Sequence, residues 1–165
     1  MAISQLEQAM ATLRLGLAEM SNKEDQLDAL ISQFQTQLRR LPLQVVYGPT
    51  SLDSSLAAMG EIEERLEDVV ANRRRLLAIK KTATQELEAL QLLKRVDESR
   101  SKLAGLKKSA DSAGEDAQTD VQADVQAEVR RLEKFIADNS RQAEQAITER
   151  FKERTERTNG DRAAS

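Results

Sequence analysis

The residues able to do chemistry in this chain are charged, and they come in blocks. Glu61, Glu63, Glu64 and Glu67 form an acidic cluster. Carboxylates gathered in a helical bundle can bridge metal ions when Glu-x-x-His pairs complete the ligand shell. The chain has no His and no Cys. That shell cannot be assembled, a thiolate metal site is excluded, and the commonest general base is missing. The cluster reads instead as a solvated acidic face set against bases.

The sharpest charge feature is the basic run Arg73, Arg74 and Arg75, followed by Lys80 and Lys81. On a helix Arg73 and Lys80 share a face, as do Arg74 and Lys81, each pair two turns apart. Such a face can contact the phosphates of lipid or nucleic acid. No aromatic residues are interleaved for base stacking, which weakens single-strand binding. The net charge of -3 also argues against a general nucleic-acid binder. The plainer reading is salt bridging within and between helices. No Gly-rich phosphate loop, nucleophile elbow or metal-ligand spacing occurs. The expectation is therefore a non-catalytic protein with no cofactor and no catalytic or metal-binding residue.

One apolar segment stands apart from these charges. Residues 42–51, PLQVVYGPTS, carry Leu43, Val45, Val46 and Tyr47. This is more apolar than a solvated loop needs, so the four are candidate partner-binding residues, docking as a plug or an added strand. The alternative is that they fold over the end of a bundle.

The elements that must position these groups are helices. From Ile3 to Leu41 an apolar residue recurs every three then four positions, and only Glu24 interrupts the a series of the heptad. Such a stripe buries one narrow seam against partner helices. Composition agrees: 32% of residues are charged, 2% are aromatic, and Gly and Pro are scarce, a profile of long helices and coiled coils. The chain of 165 residues reads as one domain, 1–157, followed by a disordered tail at 158–165.

Within it the spacing predicts helix one over 3–41, stopped by Pro42. A loop follows at 42–51, with Thr50 or Ser51 capping the next helix. Helix two runs over 52–108. Its stripe drifts, because Arg73 and Lys80 land where apolar residues are expected. Residues 109–116, SADSAGED, read as a turn, with a continuous helix as the alternative. Helix three spans 115–157 and repeats Val121, Val125, Val129, Leu132, Ile136, Ser140, Ala143, Ile147 and Phe151 with an 11-residue period. That period makes a nearly straight helix.

Charge sets an expected register. Folding helix three back about a turn near 111 lays the acidic 115–128 along the basic 94–108, and Arg150, Lys152, Arg154 and Arg157 along the acidic 61–68. Folding helix one back about a turn near 46 sets Glu24, Asp25 and Asp28 beside those same acids, with helix three relieving the repulsion. All three helices then overlap around 65–90 of helix two. The expected fold is all-α, an elongated antiparallel coiled coil or three-helix bundle of long helices.

Two-helix stretches leave apolar surface wet, so a second chain is expected to cover it. The sequence thus points to a structural or adaptor protein. It forms a homo-oligomer, most simply a dimer, or a hetero-oligomer with other helical chains. A peripheral membrane protein on an anionic surface is the alternative, and a nucleic-acid-associated scaffold the second. The N-terminus lacks a basic start with an apolar run, and no stretch approaches the roughly 18 apolar residues of a membrane span, so the expected setting is cytoplasmic.

Overall fold

The computed structural model describes the backbone of residues 3–112 and 119–163, and side chains over 5–112, 121–145 and Thr148. The protein is all-α. Three long helices follow one another: α1 (Ile3–Tyr47), α2 (Leu52–Ser112) and α3 (Thr119–Ala163). No strand occurs among the described residues. By their contacts the residues divide into two units, 11–85 and 1–10 with 86–165.

Helix α1 does not stop at Pro42. It runs through that residue to Tyr47. A proline inside a helix forfeits one hydrogen bond and crowds the carbonyl four residues back, at roughly 3 kcal/mol. The cost is borne here because Leu41 and Val45, on either side, are half-buried seam positions. The true stop is Pro49, which drives the residue before it out of helical geometry. Gly48 closes the last turn, its N–H donating to the Gln44 carbonyl at 2.9 Å. Helix α2 then starts from Ser51, whose Oγ accepts from the Ser54 N–H at 3.3 Å. Its carbonyl accepts from the Ser55 N–H at 3.1 Å. Ser51 is thus the N-cap, and the loop expected over 42–51 shrinks to the four residues 48–51.

The stripe of α2 does not drift over its first two-thirds. Ser55, Met59, Ile62, Leu66, Val69, Arg73, Leu76, Lys80, Ala83, Leu87, Leu90 and Lys94 are all buried or half-buried. Their spacing alternates four and three throughout, a continuous heptad seam. Arg73, Lys80 and Lys94 are members of the seam, not departures from it.

In the unit 11–85, α1 and α2 form an antiparallel hairpin closed by 48–51. Its seam is only partly dry: Leu27 is the buried apolar residue there, while Leu17, Phe34, Leu66 and Leu76 stay half-buried. In the other unit three helices meet. Leu6 and Met10 of α1, Leu90 and Val96 of α2 and Ala143 of α3 are buried at that level. Lys94 pairs with Glu7 there, and Arg100 reaches Glu144. Among the described side chains the three helices meet at about 90–100 of α2; the α3 side chains that would bear on the expected overlap at 65–90 lie outside the described residues. The α1–α2 register does shift, because α1 runs past Pro42 and the turn falls at 48–51 rather than near 46.

The α2–α3 register also shifts. Glu128 does meet Lys102, at 3.3 Å. Lys107 and Arg100, however, take Glu133 and Glu144 rather than residues of 115–128. Half-buried Val125, Val129, Leu132, Ile136 and Ser140 follow the expected stripe, but Val121 is exposed. Ser140 fills its apolar slot by donating to the Ile136 carbonyl and accepting from Arg100. Of the expected turn at 109–116, residues 109–112 are still helical and the rest lie outside the described residues. The tail expected from 158 is helical to Ala163. The side chains of Arg150, Phe151, Lys152, Arg154 and Arg157 lie outside the described residues.

Candidate interaction surface of the helical hairpin

Two features of the 11–85 hairpin carry its chemistry: a charged layer inside its seam and an apolar end. The layer centres on Glu24, the single break in the a series of α1. Its carboxylate accepts from Lys80 Nζ at 2.6 Å and from Arg73 at 3.4 Å. Arg73 Nε also donates to Asp28 Oδ1. The polar interruptions of the two stripes thus meet one another. The Glu24 side chain keeps only 18% of its exposure, the least of the ion-paired groups. A charge that far from water is held by its partners, so sliding the helices would strand it. Arg73 is pushed above its ordinary pKa, first by the Asp28 hydrogen bond and charge.

Glu24 and Asp28 therefore stand beside Arg73 and Lys80, not beside Glu67 and Asp68. The sequence-based register juxtaposed like charges, and the structure replaces that arrangement with opposite ones. Of the five candidate phosphate contacts, Arg73 and Lys80 are already held by carboxylates. Arg75 donates to Asn72 at 2.9 Å. Arg74 and Lys81 are exposed. The five do not form one anion cradle: the seam claims two, and the other three point to solvent.

The end of the hairpin carries the second feature. Leu43, Val46 and Tyr47 are exposed, Tyr47 at 85%. Val45 is half-buried in the seam. The candidates thus separate by helical phase into one packing residue and three outward ones. Across the turn Leu52 and Leu56 join them, also exposed. Sequence reasoning missed these two. The signal was present: residues 41–60 hold a single charged residue, Asp53, in a chain that is 32% charged. All five are more than half exposed, so the closed end of the hairpin leaves large apolar side chains wet. Beneath them Ser55 is buried at 2% with no partner for its hydroxyl among the described residues.

Nothing in the described residues forms an enclosed reaction site. No group of acidic side chains there could hold a metal ion. A groove between α2 and α3, lined by Arg95, Lys102, Glu128, Arg131 and Phe135, is open to solvent. Its Lys102 and Glu128 already pair. No described helix is long and apolar enough to cross a membrane. No protein-family model, no curated protein and no solved structure matches this chain.

Proposed function

We propose that this chain is a non-catalytic structural or adaptor protein that joins other helical protein through the closed end of its α1–α2 hairpin. One observation carries the reading: Leu43, Val46, Tyr47, Leu52 and Leu56 are all exposed near the closed end of a hairpin whose register is held by an internal charged layer. The layer provides a rigid support, and the end provides apolar area at low entropic cost. A large aromatic at the centre of such a patch is the usual anchor of a protein interface. The same reading sets the protein in the cytoplasm, where a cysteine-free chain needs no oxidising compartment.

The experiment is a comparison of tagged full-length chain with the variant Val46→Lys/Tyr47→Lys, both recovered from native extract and cross-linked. The reading expects protein partners on the parent, cross-linked near 43–56, and their loss from the variant at unchanged helicity. An identical partner set on both proteins refutes it.

A second reading is favoured by the near absence of charge over 41–60. The hairpin end would then enter a lipid headgroup layer, as amphipathic surface helices do. Flotation with vesicles decides: co-flotation lost in the same variant supports it, and absence of flotation at low salt removes it.

A further inference from the structure

We propose that the partner at the hairpin end is a second copy of this chain. Two hairpins lie side by side with their closed ends level, about a two-fold axis parallel to the helices. Helix α1 of each copy packs on α2 of the other, making a four-helix bundle of the two 11–85 units. This deepens the adaptor reading above and rests on it.

The outer charges argue for this occupant. The Glu24 layer sets the levels: residue 24 lies beside 73–80, so Arg39 and Arg40 of α1 lie level with Glu61, Glu63 and Glu64 of α2. All five are exposed, and none pairs with another described residue. At the other end of the hairpin the signs reverse. Glu19 and Asp25 of α1 lie level with Arg74, Arg75 and Lys81 of α2. These too are exposed and form no ion pair with a described residue. Exposed Lys23 and Arg65 lie among these groups and reduce the contrast, but at both levels the outer faces of α1 and α2 still carry opposite net charge. A two-fold axis parallel to the hairpin brings each level beside itself and α1 beside α2. Basic then meets acidic at one level and acidic meets basic at the other, each twice over. An antiparallel arrangement would set the apolar end against the charged middle instead.

Burial gives the second argument. A two-helix hairpin dries only Leu27 and Ser55 of its seam. Four-helix bundles close the same kind of seam completely. Leu30 and Val70, level with one another and both exposed, extend the apolar contact along the hairpin. A self-complementary patch of this kind is what a closed two-fold dimer requires.

The test uses the full chain in sedimentation equilibrium. The parent should show twice the 18.4 kDa chain mass at micromolar concentration. Variant R39E/R40E and variant E61R/E63R/E64R each place like charges across the two-fold interface. Each alone should self-associate at least about tenfold more weakly. Mixed in equal amounts they should recover the parent's affinity, because each α1 then meets an α2 of opposite sign. That recovery is specific to contact between copies. In Thr50→Cys, the only thiol in the chain, the level ends should become linked under mild oxidation.

A parent of single-chain mass overturns the proposal, as does the absence of recovery on mixing. A single-chain parent that still binds another protein through Val46 and Tyr47 overturns the second copy and leaves the adaptor reading standing. A single-chain parent that floats with vesicles through the same residues overturns both.

Discussion

Replacing Glu24 by Gln tests the claim that the charged layer fixes the hairpin. The substitution keeps size and shape and removes only the charge. It leaves Arg73 and Lys80, each about one-third exposed, without their shared carboxylate. Fully exposed pairs contribute up to about 1 kcal/mol, and breaking a fully buried pair costs about 3–5 kcal/mol. Glu24 at 18% exposure, with partly wet partners, falls near the lower figure. The expected loss is about 1–1.5 kcal/mol, or a Tm lower by about 2–6 °C for a chain of this size. Lys80→Met, made alone and together with Glu24→Gln, completes a double-mutant cycle. The coupling between the two sites should be about 0.5–1.5 kcal/mol and should shrink only partly in high salt. The assay is reversible thermal and urea unfolding followed by circular dichroism. Zero coupling, or a Tm raised by Glu24→Gln, would refute the reasoning.

Other outcomes follow from the same packing. Leu6→Ala, at the three-helix level where Leu6 is 1% exposed, should cost about 2–4 kcal/mol in urea unfolding; Leu17→Ala, half-buried in the two-helix seam, should cost about half as much. In Gly48→Ala the new Cβ would lie 2.5 Å from the Gln44 carbonyl oxygen, so the turn must open; unfolding should ease by about 1 kcal/mol, and an unchanged midpoint would contradict the turn geometry. The Lys94 ammonium is held above its ordinary value of 10.5, first by its hydrogen bond to Glu7 and then by that charge. A raised cationic pKa stabilises the fold fully below the ordinary value and stops doing so as pH rises through the raised one. Lys94→Met should therefore lower the parent's stability at neutral pH, and the difference should fade only above pH 10.5 when melting is followed across alkaline buffers.

Much of this fold was legible in the residues. The heptad of α1 and the long stripe of α2 required buried seams, and the scarcity of Gly and Pro allowed them to run far. The outward character of Leu43, Val46 and Tyr47 was suggested by an apolar segment with no core to enter. Leu52 and Leu56 were hidden because they look like ordinary members of a helical stripe. Leu52 continues the seam but lies at its end, where no α1 residue covers it, and Leu56 flanks the seam one position past Ser55. Pro42 misled because its local rule is a strong one. Here packing of Leu41 and Val45 outweighs it, and Pro49 ends the helix instead.

The amino-acid order by itself determined that the chain is helical, where its seams run and which residues break them, since side-chain period is a local property. Register belonged to the tertiary structure alone. A seven-residue repeat matches itself again after each slide of seven, so apolar stripes cannot say which turn faces which. That choice fell to the position of the 48–51 turn and to a carboxylate too dry to stand without its two cations. Glu24 facing Arg73 and Lys80, rather than Glu67 and Asp68, is the visible result.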